Sequence, residues 1–435
     1  MVGDFAPAAS GYVPPQAVER TLLPALAFLT LLLLIFVGLD AFSPPLPVAQ
    51  FGGIKEASHG DAMRQIAYLG TAALIGLCAL QRHGTAALRA MPLGMALLLA
   101  WCLASAFWAP EPGVVLRRAG LEVVIVTALL LSVETIGAQR AFAIWRWLLA
   151  AILLVNFLSI PLVAAARHGA GEMDPALVGN WRGLYGHKNI AGAVCAITAI
   201  LFLFTRTGWR NWIGIAVAAA ACVFLAMTHS KSSAGFLVAA LLAGLFYRIG
   251  WRDGLSRAIL VVIVALLLAA GAAFLLLDAD AIAHALEDPG EFTGRAAIWA
   301  AELRYIADHP LLGAGFGTFS DTAAKPPLAA YVNGSWVTAV SHGHNGYLQL
   351  LVTIGGIGFL LAMLALVVAP LRRFWELDWE EDGFKPMLFA LFVFLVLHNV
   401  MESDFLEGDG AAWAALLLVI AALNSPEPRY SLRSR

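Results

Sequence analysis

The sequence predicts an all-α polytopic membrane protein, with about twelve transmembrane helices and one long outer loop containing short amphipathic helices. Three observations carry this expectation. Of 435 residues, 60% are hydrophobic and only 13% are charged, where a soluble domain carries about 25% charged residues. Mean hydropathy is +0.80. Apolar runs suited to a ~30 Å hydrocarbon core recur along almost the whole chain.

In order, the runs place spans near 22–39, 65–80, 91–108, 114–134, 144–166, 188–205, 211–227, 232–249, 258–277, 345–370, 386–401 and 411–424. Backbone facing lipid must satisfy its own hydrogen bonds, so each is expected to be a helix. The first run exceeds the ~7–15 apolar residues of a secretory signal and lacks a strongly basic start, so it reads as an anchored span. The chain then divides into a tail over 1–20, spans one to nine within 21–277, a loop over 278–344, spans ten to twelve within 345–424, and a tail over 425–435.

Lys and Arg in short loops favour the cytoplasmic side. An N-in, C-in arrangement puts Arg82, Arg89, Arg140, Arg146, Arg372 and Arg373 inside, and the 278–344 loop outside. A net charge of -2 gives no bulk attraction to nucleic acid. Cys78, Cys102, Cys195 and Cys222 lie singly in apolar runs and read as small buried hydrophobes.

Polar chemistry concentrates at the outer starts of helices. Arg182, His187, Lys188 and Asn189 lead into the sixth span, and Lys231 begins the eighth. Arg295 opens a short helix in the outer loop, and His342, His344 and Asn345 precede the tenth span. Backbone N–H groups and the positive end of the helix dipole point outward there. Combined with Arg, Lys and His, such ends suit an anion, above all a phosphate. One such residue is ordinarily a snorkelling anchor. Four segments on the face where cations are disfavoured argue for a site.

Other signals are weaker. Gly313, Gly315 and Gly317 mimic a dinucleotide loop, but no strand precedes them, so they read as turn glycines. His342 and His344 form a His-x-His pair with no carboxylate or Cys partner at recognisable spacing, so no metal is expected. Arg118 and Glu122, one turn apart in the fourth span, read as an ion pair. A helix over 293–308 is expected, with Thr293 as N-cap and an apolar stripe of Trp299, Leu303 and Ile306 flanked by Ile298 and Tyr305. Lying on the spans, it would form a lid holding Arg295 over the outer mouth.

At these residues the chain resembles the O-antigen ligase and polysaccharide polymerase superfamily (the Wzy-C family). The resemblance rests on Ser105 to Pro112, Arg182 to Asn189, Thr293-Gly294-Arg295 with Ile298-Trp299 running to His309-Pro310-Leu311-Leu312-Gly313, and His344 to Gln349. It implies a glycosyltransferase of the bacterial inner membrane, without metal or cofactor, that moves a glycan from undecaprenyl pyrophosphate to an acceptor hydroxyl at the periplasmic face. It also implies that Lys231, Arg295 and His344 are catalytic. Arg182, Lys188, Lys231 and Arg295 are then the candidates to hold pyrophosphate, with His187, Asn189, His342 and Asn345 in support. An imidazole titrates near pH ~6.5, which suits His344 to take the acceptor proton. The implied partners are membrane lipids, the lipid-linked donor, a sugar or lipid A core acceptor, and other polysaccharide assembly proteins. The Gly186-His187-Lys188-Asn189 run is closer to the exopolysaccharide polymerase branch. An O-antigen ligase is the alternative, as is a transporter of a lipid-linked or anionic solute, which would place its charges at mid-membrane.

Overall fold

Apolar runs in lipid have one way to close their own hydrogen bonds, and every described run is helical. A computed structural model describes residues 15–42, 62–170, 172, 175–204, 212–250, 255, 295–320, 327–332, 343–376 and 383–425. The helices are α1 (Pro15–Phe36), α2 (Ala62–His83), α3 (Leu93–Ala104), α4 (Pro112–Ile136), α5 (Ala138–Leu162), α6 (Lys188–Leu203), α7 (Trp212–Thr228) and α8 (Lys231–Gly250). They continue as α9 (Arg295–Asp308), α10 (Gly346–Met363), α11 (Ala369–Glu376), α12 (Phe384–His398) and α13 (Ala411–Asn424). Among the described residues the one extended pairing is an isolated bridge between Arg167 and Trp181. The span expected over 258–277 lies outside the described residues, as do Thr293, His342 and about half of the 278–344 loop.

Among the described residues, five helical stretches are long and apolar enough to cross a membrane: Ala62–Ala90, Pro112–Ile136, Ala138–Leu162, Lys231–Ile249 and Gly346–Glu376. The shorter apolar helices include α6 and α13, and position explains their length. From Ala411 to Ala421 every residue of α13 is buried, as is nearly all of α6. A helix apolar all round belongs inside the bundle. Surrounded by protein, α13 need not match the hydrocarbon thickness with its roughly 21 Å.

Several spans shift by a few residues from expectation, and two of these differences bear on the site. α5 covers Ala138–Leu162 instead of 144–166. Its C-terminal end stops at Val163 because Ala166 O is taken by Arg182 N and Gly183 N, starting a loop. The tenth span is not straight. α10 kinks at Gly355, where φ is 67°, and a π-type segment, Leu364–Val368, joins it to α11. A Cβ on Gly355 would lie 2.2 Å from Leu311 O, so only glycine serves. The opened turn is filled by the His309–Gly315 loop, with Ala314 N donating to Val352 O, Gly315 N to Thr353 O, and Gly356 N to Pro310 O. Ser105 accepts from Phe316 N, and Trp108 Nε1 donates to Leu312 O, so α3's end clamps the same loop.

Candidate functional site

The site end of the bundle is where α1, α3, α5, α7 and α12 finish and α2, α4, α6, α8, α10 and α13 begin. Contacts across it tie distant segments: Phe42 N donates to Leu184 O, and Tyr68 Oη lies 3.0 Å from Leu34 O. The 12-residue stretch 399–410, between α12 and α13, carries the group that organises the end. That group is Glu402.

Glu402 Oε1 accepts from Arg295 Nη2 at 2.8 Å and from Asn189 Nδ2 at 2.6 Å. Its Oε2 lies 3.2 Å from His344 Nδ1. One carboxylate therefore joins the start of α6, the start of α9 and the residue before α10's cap. The side chains of Arg295, Glu402 and His344 are 12%, 10% and 23% exposed, largely sheltered from water. Arg295 also donates to Met401 O. Burial works to raise the Glu402 pKa. The His344 hydrogen bond and the charges of Arg295, His344 and His398 outweigh it and hold the carboxyl down at about 2.

Local sequence explains the placement. Asn345 caps α10 by accepting from Tyr347 N and Leu348 N. Its own N–H donates to Ser403 Oγ, and its Nδ2 to Val400 O. His344, one residue earlier, sits at φ 53°, a left-handed conformation that a non-glycine residue adopts only when its surroundings hold it. Gly346 N donates to Asn399 O and Glu402 O, locking the 399–403 turn against the start of α10. Gly343 faces Glu302, whose Oε1 would lie 2.0 Å from an added Cβ.

The α6 start supplies a second group. His187 caps α6, its Nδ1 accepting from Asn189 N. Burial first, and then His168, lower its pKa to about 3, so it is neutral at physiological pH and acts as an acceptor, not as a cation. Lys188 N donates to His168 Nε2, and His168 Nδ1 is 2.6 Å from Glu172. Lys188 Nζ reaches His229 O at 3.4 Å, which brings the α6 start beside the α7–α8 turn. There Lys231 is exposed at the first position of α8.

Arg182 is placed differently. It is 1% exposed, with Nε donating to Ala165 O and Nη1 to Gly186 O. The guanidinium braces the 163–187 loop from inside. Arg118 and Glu122 are not each other's ligands either: Arg118 donates to Gly317 O, while Glu122 accepts from Gly408 N and Trp413 Nε1. The neighbouring loops outbid the helical partner because they bring fixed N–H and C=O groups. On α9 the buried stripe is Ile298, Ala301, Glu302 and Tyr305, and Leu303 is half exposed. The helix is rotated from expectation because Tyr305 packs with Phe319, Leu328 and Val352.

Sequence reasoning missed Glu402, and with it a buried chain beneath. His398 Nδ1 lies 2.6 Å from Asp404 Oδ2, and His398 Nε2 lies 3.0 Å from Ser233 Oγ, which in turn accepts from Ser230 Oγ. The order is that of a nucleophile triad, but Ser233 is 0% exposed. It ties α8 to the turn carrying Glu402. The signal was present: 399–410 holds Glu402, Asp404, Glu407 and Asp409 in a short loop. A search for anion-binding cations passes over carboxylates. Among the described residues no group of three His, Cys, Asp or Glu is placed to hold a metal.

Glu302 gives a test of this geometry. It is 1% exposed, and its Oε2 has no hydrogen-bond partner among the described residues. Burial raises its pKa to about 8. The folded state therefore binds this proton where the unfolded chain has lost it. Its contribution is complete below the ordinary carboxyl value of ~4.3 and declines as pH rises through about 8. Thermal midpoints in detergent should fall by several degrees over that window, and Glu302→Gln should flatten the profile. An unchanged profile in the variant would contradict the buried, neutral assignment.

An all-helical bundle, with helices apolar enough to cross a membrane and its titratable groups gathered at one end, defines an integral membrane protein. Residues 216–363 match the model of the Wzy_C family, described as O-Antigen ligase. The matched segment contains Lys231, Arg295 and His344, and it makes the chain similar to membrane enzymes that transfer glycans. No curated protein matches the chain.

Proposed function

We propose that the protein transfers a glycan from undecaprenyl pyrophosphate to an acceptor sugar hydroxyl at the periplasmic face of the bacterial inner membrane, as a polysaccharide polymerase. The observation that carries this reading is the joint hold of Glu402 on Arg295 and His344. A fixed cation and an oriented imidazole are the two groups such a transfer needs.

In this mechanism the acceptor oxygen attacks the anomeric carbon as the bond from that carbon to the pyrophosphate oxygen breaks. Glu402 at Nδ1 favours the tautomer with its proton there, leaving the Nε2 lone pair of His344 to take the acceptor proton. Negative charge gathers on the departing lipid pyrophosphate, where Arg295, Lys188 and Lys231 stabilise it. In-line displacement inverts the anomeric centre. Arg182 holds the 163–187 loop in shape and acts through Lys188. No step uses a metal or cofactor.

The family's description as O-antigen ligase favours a second reading, an O-antigen ligase with lipid A core as acceptor. Transport is disfavoured, since the clustered charges lie at one end of the bundle and transporters carry theirs at the midplane. Purified protein in proteoliposomes with lipid-linked repeat units decides between them. Lengthened lipid-linked glycan supports the polymerase, and glycan joined only to added lipid A core supports the ligase. Glycan that crosses the bilayer unchanged would refute both.

A further inference from the structure

A cavity of about 1000 Å³ opens beside the Glu402 cluster, walled by α2, α4, α10, the 316–320 loop and the 405–409 loop. We propose that it holds the acceptor glycan of the transfer reaction, with several sugar units against its walls. This rests on the transfer reading above and assigns one of its two substrates a place.

The wall chemistry points to uncharged hydroxyls. Arg64, Arg117 and Arg118 line it together with Glu122, Glu407 and Asp409, so basic and acidic groups interleave. Arg64 is already paired with Asp409, and Tyr68 Oη donates to the same carboxylate at 2.8 Å. A pyrophosphate needs converging cations, as at Lys188, Lys231 and Arg295. A sugar instead offers adjacent hydroxyls that both donate and accept, matching guanidinium forks beside carboxylates. Phe316, Phe319 and Phe405 stand behind the polar groups, buried, and give the wall a rigid apolar backing. The volume is at the upper end of the ~300–1,000 Å³ range of ligand pockets, so more than one sugar fits.

Position selects the acceptor over the donor. Gln349 lines the cavity, and its Oε1 accepts from Gly343 N, next to His344. Phe405 lines it three residues after Glu402 and stacks edge-on against Tyr347. A glycan lying here therefore reaches, at Gln349, the segment that carries His344. The cations at the starts of α6 and α8 belong to helices that contribute nothing to the cavity wall.

Gly120 makes the assignment testable. It lines the cavity, and a Cβ built on it meets nothing within 4 Å. Gly120→Phe should fill the space from an ordinary helical position, and Arg117→Ala should remove a donor without adding bulk. The probes are free oligosaccharides of one to three repeat units released from the cell's own polysaccharide, and the same repeat on its lipid carrier. With full-length protein in nanodiscs, Gly120→Phe should raise the acceptor KM about tenfold or more, and Arg117→Ala by less, with the donor KM and the extrapolated kcat retained. Calorimetry should show oligosaccharide binding to the parent and its loss in Gly120→Phe. If Gly120→Phe does not fold, Arg117→Ala carries the test alone. An unchanged acceptor KM, or a rise confined to the donor KM, overturns the assignment. Oligosaccharide binding without any transfer by the parent would uphold the cavity and refute the transfer reading.

Discussion

His344→Ala is expected to lower kcat by about 10²–10⁴-fold, the usual contribution of a positioned general base. The donor KM should change little, because the pyrophosphate is assigned to Arg295, Lys188 and Lys231. The residue's backbone matters to the interpretation. At φ 53° His344 already occupies a region disfavoured for side-chain-bearing residues, and alanine there adds strain next to the Asn345 cap. His344→Gly removes the imidazole while relieving that strain. Both variants should therefore be equally slow, with the glycine form the more stable. Added imidazole should restore part of the rate in His344→Gly if the missing function is proton transfer. Near-normal turnover in either variant, measured with purified lipid donor, sinks the base assignment.

Much of this end of the protein is legible from the sequence, because helix starts are written in local chemistry. Lys188 and the Asn345–Gly346 boundary fall where the polar-to-apolar step puts them, and both helices begin with a side-chain cap. What is not legible depends on contacts between distant segments. The Gly355-Gly356 pair looks like ordinary membrane-helix glycine until the Pro310–Gly315 loop is seated against it. Arg182 reads as an outer cation, yet the fold turns it toward Ala165 O and Gly186 O. Glu402 lies 58 residues from His344, 107 from Arg295 and 213 from Asn189. No periodicity or spacing rule reaches that far. The positive-inside rule also draws attention to cations, and here the organising charge is negative.

Glu402→Gln should be as damaging to turnover as removing the imidazole itself, about 10³–10⁴-fold in kcat, the scale seen when an orienting carboxylate is made an amide. The amide keeps the shape and an acceptor for Asn189 Nδ2, but it offers no charge to Arg295 and can face Nδ1 with an N–H, which selects the wrong tautomer of His344. The two effects act through one unit. Glu402→Gln combined with His344→Ala should therefore be barely slower than His344→Ala alone, whereas independent roles would multiply. Acid sensitivity gives a second readout of this carboxylate. With a folded pKa of about 2, Glu402 stays ionised through the working range. The stability it confers is complete above the ordinary carboxyl value of ~4.3 and is lost only as pH falls through about 2. No acid limb in the rate profile above the ordinary carboxyl value of ~4.3 is therefore expected from Glu402. If instead Glu402→Gln leaves kcat intact, the carboxylate is only a structural clamp, and the proposed mechanism loses the group that aligns its base with its cation.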